Sequence, residues 1–179
     1  TGISISGGQQ HAISSNLIGT TANGNAALSN QIGITISNAQ NCAVAGNVIS
    51  GNTSQALLVR ANASQITVSN NNFGLGLDNS TPIPNGTGID IQNGANDNLI
   101  ADNIITNNTG TGITISGGTT INNEMTQNRI YCNGGAEINA SFGNSGKAPP
   151  VITDVDLSTN IISGTCNTCA TGEVIEIFS

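Results

Sequence analysis

The sequence predicts an all-β protein in which short strands stack into the successive coils of a solenoid. Three observations lead to this fold class. Apolar and polar residues alternate over short stretches, an asparagine recurs inside a fixed apolar frame, and a long unit that begins near Asn16 repeats without a gap from Asn71. No segment shows the apolar periodicity of a helix over a helical length.

Each coil is predicted to open with a short strand. The tripeptide Thr-Gly-Ile begins at positions 1, 87 and 111, where an alternating apolar pair starts at its Ile. The pairs are Ile3/Ile5, Ile34/Ile36, Leu57/Val59, Ile89/Ile91 and Ile113/Ile115. Such alternation buries one face of the strand and turns the other face outward. A single unit cannot bury its own apolar side, so we expect the coils to stack with parallel strands.

An asparagine marks a second position of every coil. It lies in the frame apolar-x-x-Asn-x-apolar at Asn16, Asn47, Asn71, Asn103 and Asn128, and the separations alternate between long and short. We interpret this column as an inward ladder, in which the amides bond the turn backbones and one another. A row of ligand donors is the alternative.

Long and short coils are predicted to alternate. The shift that places Asn16 on Asn71 also places Gly19 on Gly74, and it aligns the strand that starts at Ile34 with the strand at Ile89. The excess length of the long coils lies in the loop 20–31, which matches the loop 75–86. The repeating unit is therefore a pair of coils.

The composition is unusually poor in charge. The 179 residues include 3 basic and 10 acidic side chains, for a net charge of −7, and aromatic residues make up 2 %. This charge is unfavourable for binding a nucleic-acid backbone, so we expect no nucleic-acid partner. No apolar run approaches the roughly 18 residues that a membrane span needs.

The motifs Asn16-Leu17-Ile18-Gly19-Thr20 and Asn47-Val48-Ile49-Ser50-Gly51-Asn52 resemble the right-handed parallel β-helix repeats of the pectate-lyase-like superfamily. The resemblance covers roughly residues 1 to 145. It implies a right-handed parallel β-helix solenoid of about six coils. It does not imply one activity, because this architecture hosts lyases, hydrolases, epimerases, phage tailspikes and adhesins.

We predict three regions along the chain. Residues 1–140 form the parallel β-helix, and 141–150 form a linker containing Pro149 and Pro150. Residues 151–179 alternate like strands and resemble the opening of an immunoglobulin-like module of bacterial surface proteins. That segment is an incomplete, partial β-sandwich, because a sandwich needs about seven strands. We expect the natural protein to continue beyond Ser179.

Four cysteines and one loop aspartate are candidate cross-link and metal positions. Cys166 and Cys169 have the CxxC spacing without a second pair, which favours a local disulfide. Cys42 and Cys132 fall on different parts of their coils, so we expect them unpaired and buried. No resident cofactor is predicted. Asp78 in the second long loop is a candidate calcium ligand, and a solvated loop carboxylate is the alternative.

The outward face of the strand that opens each coil is the candidate functional surface. Alternation places a ligand-binding row there, made of Thr35, Arg60, Asp90, Gln92 and Thr114. In the sugar-cleaving members of the superfamily this face carries the chemistry. If the chain is an enzyme, the candidate catalytic residues are Asp90, Glu137 and Arg60. Asp90 and Glu137 would lie two coils apart, about 9.6 Å, near the upper range for an inverting carboxylate pair.

Three functions remain open at this stage. The first is a non-catalytic structural or adhesion segment of a larger secreted or surface protein, which could bind polysaccharide or another cell-surface ligand. The second is a polysaccharide lyase or glycoside hydrolase. The third is a filament subunit that stacks end to end, since uncapped solenoid ends expose strand edges. An extracellular or cell-surface location is expected for the first.

Overall fold

The computed structural model describes residues 1–140, 142–146, 151–156, 158–159 and 161–165. Most of these residues wind into a coil of short strands. The strands are β1 (Ile3–Ser6), β2 (Ala12–Ser14), β3 (Leu17–Ile18), β4 (Ile34–Ser37), β5 (Ala43–Ala45), β6 (Val48–Ile49), β7 (Gln55–Arg60), β8 (Thr67–Ser69), β9 (Asn72–Phe73), β10 (Thr87–Ile91), β11 (Leu99–Ala101), β12 (Ile104–Thr106), β13 (Ile113–Ile115), β14 (Glu124–Thr126), β15 (Arg129–Tyr131), β16 (Ile138–Asn139), β17 (Val151–Asp156) and β18 (Ile161–Thr165).

Three parallel sheets run along the solenoid. Sheet 1 has the order β1-β4-β7-β10-β13-β16, sheet 2 the order β2-β5-β8-β11-β14 and sheet 3 the order β3-β6-β9-β12-β15. We number the coils 1 to 6 by their strand in sheet 1. Each of the first five coils contributes one strand to each sheet, and the sixth contributes β16 to sheet 1. The predicted all-β solenoid of about six coils is thereby confirmed.

The interior consists of stacked aliphatic side chains. The register of sheet 1 aligns Ile3, Ile34, Leu57, Ile89, Ile113 and Ile138 in one column. Ile34, Leu57, Ile89 and Ile113 are all fully buried, as the alternation predicts. Glycine precedes this column in four coils, because a Cβ at Gly33 or Gly88 would press against a carbonyl oxygen of the next coil.

The asparagine column forms the predicted ladder, which we call ladder 1. At each step the backbone N–H and Nδ2 of one asparagine both donate to Oδ1 of the next, over 2.9–3.1 Å. The ladder runs through Asn16, Asn47, Asn71, Asn103 and Asn128. A left-handed residue precedes each rung, for example Asn70 at φ 55°. The alternative of a row of ligand donors is contradicted, because the four rungs after Asn16 are buried and bonded to protein.

Two further ladders support the other turns. Ladder 2 follows sheet 3 and runs through Asn30, Asn52, Asn85, Asn108 and Asn133, with Nδ2–Oδ1 distances of 2.9–3.1 Å. Ladder 3 precedes sheet 2 and runs through Asn98, Asn123 and Asn144. Side-chain amides thus hold two turns of each of the first five coils, and from Asn98 onward they hold the third turn as well.

The two long loops have the same shape and stack on each other. Thr20 bridges Ala27 in the first loop, and the equivalent residues of the repeat, Leu75 and Pro82, bridge each other in the second. The Leu77 N–H then donates to the Gly24 carbonyl oxygen at 3.0 Å. The loops belong to coils 1 and 3, so they meet across the short coil 2. This confirms the two-coil repeat for coils 1 to 4. The alternation stops there, because coil 5 is short like coil 4.

The region predicted as a linker, 141–150, contains residues that bond to the solenoid. Asn144 donates its backbone N–H to the Thr120 carbonyl oxygen at 2.7 Å, and its Oδ1 accepts from Asn123. Beyond it, β17 and β18 pair antiparallel. The third predicted strand of 151–179, the segment 174–178, lies outside the described residues. The immunoglobulin-like module therefore stays a prediction.

Candidate ligand-binding face on the first sheet

The outer face of sheet 1 carries the predicted functional row. The register aligns Ser4, Thr35, Leu58, Asp90, Thr114 and Asn139 across the six coils. Arg60 and Gln92 each follow this row by two positions, on β7 and just after β10. Asp90, on the fourth coil, is the only carboxylate of the row. The face therefore offers hydroxyl, amide and carboxylate groups at strand spacing, about 4.8 Å between neighbours.

Asp90 is partly buried, and its partners among the described residues are neutral amides. Its Oδ2 accepts from Nε2 of Gln55 at 3.3 Å and from Nε2 of Gln92 at 3.4 Å. Burial raises the pKa of the carboxyl above its ordinary value, and the hydrogen bond from Gln55 opposes that rise. Because both bonds are long, the carboxylate keeps acceptor capacity for hydroxyl or amide donors of a ligand.

The remaining members of the row differ in exposure. Arg60 is exposed, and Gln92 and Thr114 are half-buried. Thr35 and Leu58 face outward but are only 6 % and 4 % exposed, because side chains stacked at strand spacing cover one another. The accessible part of the face thus lies around Arg60, Asp90, Gln92 and Thr114 rather than at Thr35.

Glu137 does not lie on this face beside Asp90. The register places Asn139, not Glu137, in the row of Asp90 and Thr114. Glu137 occupies the column that holds glycine in four of the other coils, and its carboxylate accepts hydrogen bonds from the backbone N–H and Nδ2 of Asn133. The predicted catalytic pair Asp90–Glu137 is therefore not formed. Glu137 ends ladder 2 instead.

Asp78 organises its own loop. Its Oδ1 accepts from the backbone N–H groups of Ser80 and Thr81, and its Oδ2 accepts from the Thr81 hydroxyl at 2.6 Å. The Thr81 hydroxyl, followed by the two N–H groups, lowers the pKa of Asp78 to about 2. Within the described part of the chain, no three His, Cys, Asp or Glu side chains are grouped so that they could hold a metal ion. Calcium binding at Asp78 stays a prediction.

The cysteines that the structure describes are both unpaired. Cys42 is buried, and its thiol donates to the Gln40 carbonyl oxygen at 3.3 Å. Cys132 is exposed, which corrects the expectation that it is buried, because it sits at the left-handed turn position that precedes the ladder rung Asn133. The predicted disulfide between Cys166 and Cys169 lies outside the described residues.

A shallow cleft of about 370 Å³ opens at the surface beside ladder 2. Gly51, Asn52, Ile83 and Asn85 contribute to its walls. Two exposed leucines lie on the long loops, Leu28 at 68 % and Leu77 at 54 %. Sequence reasoning did not identify this cleft, because it forms only where the loops of coils 1 and 3 approach each other.

Gln55 is the residue of the face that sequence reasoning missed. It is the first residue of β7, two positions before the alternating pair Leu57/Val59 that marked the strand. Its partner Asp90 lies on β10, which pairs directly with β7. The alignment of coils 3 and 4 in the sequence could have indicated Gln55, because it places this residue opposite Thr87 at the start of the strand that carries Asp90.

Among the described residues, none belongs to a helix with the length and apolar character that a membrane span requires.

Comparison with known proteins yields one family. The family described as the right handed beta helix region matches residues 1–162. No curated protein and no solved structure matches the chain. The match covers most of the 179 residues and includes every coil, in agreement with the three parallel sheets. The chain belongs to the right-handed β-helix family.

Proposed function

We propose that this chain is a non-catalytic structural segment of an extracellular or cell-surface protein, and that the outer face of sheet 1 binds polysaccharide. The observation that carries the structural part is the set of three asparagine ladders. Ladders 1 and 2 connect coils 1 to 5 without a missing rung. Satisfied buried amides favour one rigid arrangement of the coils.

The composition of the outer face supports a glycan ligand. Hydroxyl-rich ligands are bound by carboxylate and amide groups that act as acceptors and donors at fixed spacing. Asp90 accepts, Gln92 both donates and accepts, and Arg60 donates from an exposed position. The half-buried Thr114 lies directly beside Asp90 in the register.

The binding proposal is tested with the whole chain against immobilised neutral and acidic polysaccharides. We expect the unaltered chain to be retained on at least one neutral glycan. The double variant that combines Asp90→Asn with Gln92→Ala should lose this retention. Ser4→Ala is the matched control, because Ser4 lies in the same row at the first coil, three strands from Asp90. Equal retention by all variants would refute the assignment of this face.

A catalytic role is the second candidate, and one observation favours it. Burial raises the pKa of Asp90, as is typical of a carboxyl group that donates a proton. The same polysaccharides, incubated with the chain and assayed for new reducing ends and unsaturated products, decide between the two functions. Turnover that disappears in Asp90→Asn would establish the enzyme and contradict the non-catalytic proposal.

A further inference from the structure

The strand beside Asp90 carries an amide that the neighbouring coils lack. Counted along the paired strands of sheet 1, the positions equivalent to Gln55 hold Ile32 in coil 2, Thr87 in coil 4 and Thr111 in coil 5. None of these three residues has a side-chain amide. Within coils 2 to 5, an amide donor therefore occupies this position only on the strand that pairs directly with the strand of Asp90.

Both amides around Asp90 bind the same oxygen of its carboxylate. Nε2 of Gln55 and Nε2 of Gln92 donate to Oδ2 at 3.3 and 3.4 Å, and no donor in the described chain reaches Oδ1. An ionised carboxylate can accept hydrogen bonds on each of its two oxygens. The group is thus held through Oδ2, and Oδ1 is left to accept from a ligand.

The Gln55 amide is oriented from its other side. The Ser54 hydroxyl donates to Oε1 of Gln55 at 2.8 Å, so the amide nitrogen is the group that faces Asp90. The Ser54 backbone is fixed in turn, because its N–H donates to the Gln31 carbonyl oxygen at 2.8 Å and its carbonyl oxygen accepts from the Thr87 N–H at 2.9 Å. A continuous set of hydrogen bonds therefore runs from the backbone of the coils to one oxygen of Asp90.

The charge of Asp90 is met by neutral groups in the described chain. Its strand, β10, pairs with β7 and β13. The charged side chain of β7 is the exposed Arg60, two positions beyond the residue opposite Asp90, and β13 carries no titratable side chain. Hydroxyl groups can donate to such a carboxylate, whereas a ligand carboxylate beside it would add like-charge repulsion. These surroundings favour an uncharged ligand that is rich in hydroxyl groups.

We propose that Gln55 is a positioning residue of this face, which is oriented by Ser54 and holds Oδ2 of Asp90 so that Oδ1 accepts hydroxyl groups of a neutral glycan. The inference rests on the proposed function, because it takes the outer face of sheet 1 to be the glycan-binding face. Gln55 acts through Asp90 and does not itself need to touch the glycan.

The positioning role is tested first without a ligand, by a pH titration of the Asp90 carboxyl carbon followed by NMR. The signal is assigned by its loss in Asp90→Asn. Gln55→Ala should raise the pKa of Asp90 further, because the hydrogen bond from Gln55 opposes the effect of burial. Ser54→Ala should move the pKa of Asp90 in the same direction, because it frees the amide of Gln55 to turn.

Gln31→Ala is the matched control for this titration. It removes an exposed glutamine side chain from the loop of coil 1 and should leave the pKa of Asp90 unchanged. An unchanged pKa of Asp90 in Gln55→Ala would overturn the positioning role.

The ligand part is tested by retention on the neutral glycans used for the proposed function. Gln55→Ala should weaken retention by about tenfold, an effect typical of one lost hydrogen bond to a charged group, and Gln31→Ala should be retained like the unaltered chain. Full retention of Gln55→Ala, beside lost retention in Asp90→Asn, would refute the positioning role and leave the proposed function standing. Absence of retention for the unaltered chain would refute the proposed function itself, and stronger retention on acidic glycans would refute the choice of ligand.

Gln55→Glu separates positioning from a merely structural role, because it keeps the shape of the side chain and replaces the donor by a second carboxylate. Near neutral pH the two like charges should repel each other, and retention should be lost. As the pH falls, the two carboxyl groups take up one proton between them, which restores a donor to Oδ2. Retention of this variant should therefore first rise on acidification, whereas retention of the unaltered chain should only decrease as Asp90 is protonated. The same pH profile in both proteins would contradict the proposal.

Discussion

Removal of one interior rung of ladder 1 should cost far more than removal of its terminal rung. The Asn71 side chain is fully buried and makes five hydrogen bonds. In Asn71→Ala, the backbone N–H of Asn47 loses its acceptor inside the protein, and its Nδ2 keeps only the Ile13 carbonyl oxygen. Each buried group without a partner costs about 1–3 kcal/mol, so we expect a loss of about 2–4 kcal/mol.

The control is Asn16→Ala in the same ladder. Asn16 is exposed and its side chain makes two hydrogen bonds, so water replaces what is lost. We expect a cost below about 1 kcal/mol. The free energy of unfolding is measured by urea denaturation, followed by both circular dichroism and hydrogen exchange. The expected difference is large against a total stability of about 5–15 kcal/mol. Equal losses in the two variants would refute the idea that the buried ladder stabilises the coils.

Three further outcomes are expected. Gly74→Ala should lower the free energy of unfolding by more than Gly46→Ala does. Both glycines have positive φ, but only at position 74 would a Cβ overlap a carbonyl oxygen of the next coil. Denaturation of both variants measures the two losses, and equal losses would contradict the role of this overlap. Asp90 binds its proton more tightly in the folded protein, so the free energy of unfolding should fall as pH rises from the ordinary pKa of 3.8 through the raised value. Asp90→Asn should remove this dependence of the unfolding free energy on pH. The same pH dependence in the variant and the unaltered protein would contradict burial of Asp90 as its cause. In the native protein a thiol reagent should label the exposed Cys132 and leave the buried Cys42 unlabelled. Peptide mass mapping measures both, and rapid labelling of Cys42 would contradict its burial.

The fold was predictable because stacking repeats the same physical requirement in every coil. The inward column that contains Ile34 and Ile89 faces the same interior each time, and ladder 1 needs an amide at every step. Requirements that recur in every coil select the same residue types at a fixed spacing, and that periodicity is visible in a single sequence. Ladder 3 was not visible in the sequence, because it has only three members. Two of them are Asn98 and Asn123, and the third, Asn144, lies in a segment where the sequence repeat is no longer recognisable.

The site was predictable only in part. Alternation correctly placed Asp90 and Thr114 on one outer row, since both follow an inward Ile on a regular strand. The same rule failed at Glu137, which precedes the inward Ile138 and lies in a turn rather than on a strand. A long side chain there can reach back to Asn133, and alternation carries no information on that reach.

The stacked loops limit how many coils can be added to or removed from this protein at one time. Because the loop at Gly24 touches the loop at Leu77 across one short coil, the arrangement returns to itself only after two coils. Deletion of the short coil 2 would bring the two loops onto adjacent coils, about 4.8 Å apart, although they already touch each other with that coil between them. Duplication or loss of one long coil together with one short coil keeps every loop over its partner. Recombination within coils 1 to 4 is therefore expected to preserve folded chains in two-coil increments, whereas coils 4 and 5 are both short, so that a change of one coil there displaces no long loop.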